Sequence, residues 1–205
     1  MGRSRFKIQR RLGVELPGLG KAGALERKPY GPGQHGMARK KMSDFTIRLV
    51  EKQKVMFNYG LREAQMRNYV KKSKKIKTAS WVDTMIIALE SRLDNVVFRL
   101  NWAPSTPGAR QLVSHKHIKV NGKTVNVPGY MVKPNDVIEI SDKGAKTASY
   151  LQAKVRPRIS SIPAFLTKEA TAEKEKAKMV AKPLAEDIPF AFEKRLVIEY
   201  YWKVK

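Results

Sequence analysis

No cysteine occurs in the 205-residue chain, which excludes disulfides, thiolate chemistry and every cysteine-containing zinc site and fits a reducing compartment. Acidic residues are also scarce: 18 Asp and Glu stand against 42 Lys and Arg, a formal charge of +24. No apolar run approaches the ~20 residues of a spanning helix. The basic N-terminus, MGRSRFKIQRRLG, is followed by neither an apolar stretch nor a small-residue cleavage site, so no secretory signal is expected. Three histidines (His35, His115 and His117) have few acids near them in sequence, and no metal site is expected. Neither a Ser/His/Asp constellation, nor a paired-carboxylate cleft, nor a GxxxxGK phosphate loop is evident, so the expectation is a protein without catalysis or cofactor.

What is present is positive charge. A surface this basic repels itself unless a polyanion neutralises it, which points to nucleic acid ahead of anionic membrane. The charge is uneven: residues 1–77 hold 21 Lys and Arg and 5 Asp and Glu, a net of +16, against +8 for the rest. Hydrophobic residues make up 42%, enough for one or two small cores.

Residues 1–43 show no apolar periodicity and are punctuated by Gly and Pro, most densely in Pro29–Gly36. They read either as a disordered basic tail or as an arm that folds against RNA. Ser43-Asp44 offers a helix cap, Gly60 a stop, and a second helix is expected from Leu61 to about Lys72. Ser80 to Asp83 suggests a capping box, and apolar residues at 82, 85, 86, 89, 93, 96, 97 and 100 predict one helix or two abutting ones. Ser105-Thr106-Pro107 offers a cap with proline in the first turn, and a short helix from Ala109 to about His115 is expected to follow. Asn121-Gly122 predicts a hairpin over 118–125, and Val137–Ile140 a third strand. Residues 168–182, mostly Lys, Glu and Ala, read as a solvated helix or flexible segment. The aromatic and β-branched ending predicts a strand. The expected class is α+β, with an arm over 1–43, a helical RNA-binding domain over 44–90, a small module over 91–155 and an extension over 156–205 packing back on both.

The residues Leu89–Arg99, Ala109–His115 and Ile118–Lys123 closely resemble the S4-type RNA-binding domain, two helices on a small antiparallel sheet. Pro32–Gly36, Glu51–Val55 with Tyr59-Gly60, and the Leu196–Lys203 ending extend the resemblance to the bacterial small-subunit S4 ribosomal proteins, here in a cysteine-free form. The resemblance implies a primary binder of small-subunit rRNA at a multi-helix junction, acting in assembly and in accuracy near where mRNA enters. Implied partners are rRNA, neighbouring ribosomal proteins, mRNA and the chain's own messenger, with the protein a monomer in the cytoplasmic ribosome. Charge and resemblance together give a candidate RNA-binding set. It comprises Arg3, Arg5, Lys7, Arg10, Arg11, Gly33, Gln34, His35, Arg39, Lys40, Lys41, Arg48, Lys52, Lys54, Arg67, Lys71 and Lys72 in the first part. In the module and ending it comprises Arg92, Arg99, Arg110, Gln111, Ser114, His115, Lys116, Lys119, Lys123, Tyr200 and Lys203. Arg92 has an alternative reading as a brace for Asp94 or a nearby carbonyl. The family places Ser/Thr-Arg before the 109–115 helix, whereas Ser105-Thr106 is followed here by Pro107-Gly108, so one phosphate-binding arginine is missing. Arg92-Leu93-Asp94 resembles the aspartate motif of pseudouridine synthases, and Lys41-Met42-Ser43 resembles the KMSKS loop of tyrosyl-tRNA synthetases. The chain lacks room for either catalytic domain, so both triplets are expected to be chance or structural.

Overall fold

The computed structural model describes residues 4–38, 41–76, 80–170 and 175–203. Two compact units divide the chain, one from residues 1–71 and 189–205, the other from 72–188.

In the first unit, α1 spans Arg5–Leu12 and stops at Gly13, whose φ of 66° is the left-handed value that ends a helix. A single 3-10 turn follows at Pro17–Leu19, then α2 at Ala24–Arg27 and α3 at Asp44–Asn58. The expectation of an arm without a core is corrected here. Leu12, Leu16, Leu19 and Ala24 are buried around Gln9. The Gln9 amide donates to the Lys21 carbonyl at 2.8 Å and accepts from the Leu16 N–H at 3.1 Å. Gly18 N–H donates to Asn58 Oδ1 at 2.9 Å, tying the segment to α3. The apolar positions 12, 16 and 19 do repeat at spacings of four and three, but Gly and Pro between them obscure the pattern.

Ser43 caps α3 by accepting from the Thr46 N–H. Val55, Met56 and Tyr59 are buried, as are Met66 and Val70 on α4, which spans Glu63–Lys75. The C-terminal ending is a helix rather than the expected strand. Its buried residues, Val197, Tyr200 and Tyr201, fall at spacings of three and one, which suits a helical face and not the period of two of a strand. This helix seats against α3 with the Glu193 N–H donating to Glu51 Oε2 at 2.9 Å.

In the second unit, α5 (Trp81–Glu90) is capped by Ser80, and α6 (Leu93–Arg99) abuts it, so the 82–100 stripe is two helices. Next comes α7 (Thr106–Ser114), capped by Ser105 with Pro107 in its first turn. Strands β1 (Ile118–Val120) and β2 (Lys123–Thr124) form the hairpin, with Asn121 at φ 51° and Gly122 at φ 76°, as a type I′ turn requires. Strand β3 (Val137–Ile140) follows, then the short α8 (Asp142–Ala145) and α9 (Ala148–Val155).

Residues 168–182 depart from the helical or flexible reading. Strands β4 (Leu166–Ala170) and β5 (Glu175–Met179) complete an antiparallel sheet of order β2-β1-β3-β5-β4. In β5, Ala177 and Met179 are buried while the flanking lysines are half-buried, and Ile138 of β3 lies opposite Ala177. Alternation and pairing with β3 override the helix propensity of Lys, Glu and Ala. The C-terminal helix of the first unit is α10 (Lys194–Lys203). The α+β class stands. The expected 44–90 domain divides between the units, since α5 lies in the second.

Candidate nucleic-acid interface

Helix α7 is half inside the protein. Ala109, Leu112 and Val113 enter the core with Ile118 and Val120, while Gln111, Ser114 and His115 are exposed. Lys116 follows at φ 63°, a left-handed conformation that turns the chain from α7 into β1, and its side chain is exposed. Lys123 is exposed beyond the hairpin turn and Lys119 is half-buried. The imidazoles of His115 and His117 stand 6.1 Å apart. Arg110 is half-buried because Asp94, beneath it, accepts from its Nη2 at 3.0 Å.

Several expected contacts are instead internal, which corrects the sequence reading. Arg92 and Arg99 are buried. Arg92 forms a two-point pair with Asp94, at 2.9 and 2.7 Å, which realises its alternative reading as a brace. Arg99 pairs with buried Glu90 at 3.0 and 2.8 Å. A buried guanidinium needs its carboxylate, because the lost hydration of both ions must be offset.

In the first unit, Arg48 pairs with Glu199 at 2.7 Å, Lys52 with Glu63 at 2.6 Å and Lys54 with Glu51 at 2.5 Å. Tyr200 is buried, with Lys52 Nζ 4.9 Å from its ring centre. Arg5 donates to the Leu19 carbonyl, and Arg10 donates to the carbonyls of Tyr30 and Gly31, both at 2.9 Å. Arg10 thereby holds the 29–36 loop, in which Gly31 N–H donates to Gly36 O and a Cβ on Gly36 would lie 2.0 Å from Gly31 O. That loop presents Gly33, Gln34 and His35 to solvent.

Lys7, Arg11, Lys41, Arg67, Lys71 and Lys72 are exposed as expected; Arg67 also reaches Glu63 at 3.2 Å. Lys203 closes α10. Arg3, Arg39 and Lys40 lie outside the described residues. Neither triplet that resembles an enzyme motif is arranged for chemistry: Asp94 is buried beneath two arginines, and Ser43 is the cap of α3.

Residues 2–90 match the family described as ribosomal protein S4/S9 N-terminal domain, and residues 91–138 match the S4 domain. A Bdellovibrio bacteriovorus protein named small ribosomal subunit protein uS4B is 53% identical over 197 residues, covering 96% of this chain and 94% of its own. Proteins named small ribosomal subunit protein uS4 from Nostoc punctiforme and Methylobacillus flagellatus are 43% and 40% identical, each over 96% of this chain and 95% of their own. The chain belongs to the uS4 family. That is a family of ribosomal proteins and not of enzymes.

Within this uS4 chain the sequence reading overlooked two features. Helix α4 also exposes Lys74 and Lys75, for which the run Lys71-Lys72-Ser73-Lys74-Lys75 was a visible signal. Lys74 Nζ lies 5.3 Å from the Trp81 ring centre. The other feature is that Asp94 serves two arginines. Residue spacing alone could place Arg92 beside it, but not Arg110, sixteen residues away on another helix.

Proposed function

We propose that this chain is a structural constituent of the small ribosomal subunit that binds small-subunit rRNA at a multi-helix junction. One observation carries the reading. Lys7, Arg11, Lys41, Lys71, Lys72, Lys116 and Lys123 are exposed and have no acidic partner among the described residues, whereas Glu51, Glu63, Glu90, Asp94 and Glu199 hold internal pairs. Cations left in this state gain most from crowded phosphates, where binding releases counterions. A folded junction supplies such crowding, and its grooves favour recognition by shape and backbone. Its place in the bacterial cytoplasm, a role in early subunit assembly and an effect on accuracy near where mRNA enters follow from the same reading. So do contacts with neighbouring ribosomal proteins and with the chain's own messenger.

Chemical footprinting of the full-length protein on small-subunit rRNA tests it. The expected result is saturable protection clustered at one junction, with co-sedimentation on the small subunit. Diffuse protection, or equal affinity for tRNA, would overturn the reading.

A further inference from the structure

Arg10 is a cation that meets carbonyls instead of carboxylates. Helix α1 is seated by buried Gln9 and Leu12, and Arg10, between them in sequence, is half-buried. Its Nε donates to the Tyr30 carbonyl and its Nη2 to the Gly31 carbonyl, both at 2.9 Å. The guanidinium carbon also stands 4.9 Å from the Tyr30 ring centre. No acidic side chain pairs with Arg10 among the described residues. A guanidinium is a planar fork, so two acceptors on one edge and a ring fix its plane; a lysine ammonium offers no such fork.

The loop held in this way is closed on itself. Gly31 N–H donates to Gly36 O, Gly36 N–H to Gly33 O and Ala38 N–H to His35 O, each at 3.2 Å. Gly36 leaves no room for a side chain, since a Cβ there would lie 2.0 Å from Gly31 O.

The exposed tip, Gly33-Gln34-His35, carries neither lysine nor arginine, although 42 of the 205 residues are one or the other. Counterion release on phosphates therefore gains little at the tip. An amide and an imidazole supply hydrogen bonds and a flat ring, the groups that take up unpaired RNA bases. A loop already ordered loses less freedom when it binds.

We propose that Arg10 is a positioning residue and not a phosphate contact: it presets the 30–36 loop, whose Gln34 and His35 take an unpaired base of the RNA. This role rests on the reading of the chain as an rRNA binder.

The test titrates full-length protein with small-subunit rRNA across a salt series, with tRNA as competitor, and follows amide exchange in the free protein. Arg10→Lys keeps the charge and loses the fork. A phosphate contact would survive this change with its affinity and salt slope. A positioning residue is expected to lose about tenfold in affinity with the slope retained. The amides of Gly31 and Gly36 are then expected to exchange faster before any RNA is added. Gly36→Ala changes no charge and is expected to act alike through the loop itself. Combined, the two substitutions should lose no more than either alone, because both undo one loop.

Chemical probing of Watson–Crick edges is expected to show an unpaired base protected by the parent and reactive with Arg10→Lys, Gly36→Ala and His35→Ala. Full affinity in folded Arg10→Lys, additive losses in the double variant, or protection unchanged by His35→Ala overturns the proposal. A lowered melting temperature with parent-like affinity of the folded protein also overturns it, leaving Arg10 a brace of the fold alone. If Arg10→Lys does not fold, Gly36→Ala decides: parent-like affinity overturns the proposal, and a loss with the slope retained supports it. In each of these failures the parent still selects rRNA over tRNA. A parent protein that binds tRNA equally well removes the rRNA reading beneath it.

Discussion

Arginines of this chain divide by what lies within reach of their guanidinium, and sequence alone could not make that division. Arg92, Arg99 and Arg110 belong to the same charged pattern and all three are ion-paired, yet two are buried and one is half-exposed. The difference depends on carboxylates that approach through the fold. Glu90→Gln should leave Arg99 buried with its charge uncompensated and cost about 3–5 kcal/mol in a urea melt. At a temperature where the variant is folded, its rRNA affinity should match the parent's. A large affinity loss in fully folded protein would return Arg99 to the RNA face. Lys116 allows the opposite separation. Its left-handed φ strains any side chain with a Cβ, so Lys116→Gly should gain about 1 kcal/mol of stability, as glycine relieves that strain. The same variant should bind rRNA more weakly and with a shallower salt slope, if the ammonium meets a phosphate. Equal affinity and slope would make Lys116 a bystander.

Among the elements, those with their own start and stop signals were legible. Ser80, Ser105 and Ser43 cap the helices they were expected to cap, and Asn121-Gly122 forms its turn. Elements defined by distant partners were not. Strands β4 and β5 exist because β3 offers a pairing edge, and α10 packs against α3 with Val197 and Tyr200 buried. The α3–α10 seam is also sensitive to acid. Hydrogen bonding from Arg48 holds the Glu199 carboxyl below its usual value of 4.5, with Arg195 adding a second bond. A carboxyl lowered in the folded state stabilises fully above the unfolded value, and the contribution fades as pH falls through the folded one. Stability of the first unit should therefore decline below about pH 4.5, and Glu199→Gln should flatten that decline. Thermal melts followed at pH 3–6, with identical pH curves for parent and variant as the contrary result, settle the point.

For the whole molecule, the excess charge was legible as a quantity and only partly as a placement. The basic N-terminal region is not a free polyelectrolyte, because Gln9, Leu12 and Leu16 build it into the unit around α3. Its phosphate-neutralising role is better tested without removing that core. Lys7→Gln with Arg11→Gln should leave the melting temperature within a few degrees and lower the salt slope by roughly 1.5, two phosphates' share. A slope equal to the parent's would take α1 off the RNA. The discontinuity of the first unit has a further consequence, one of timing. Val197, Tyr200 and Tyr201 fill a core whose other walls lie before residue 72, with all of the second unit encoded between them. An elongating chain exposes the apolar face of α3 on the order of ten seconds before its covering helix is made. The second unit, contiguous in sequence, can close during that interval. The strongly basic first unit is thus the last to be completed, and it waits as a nascent chain for its own final residues.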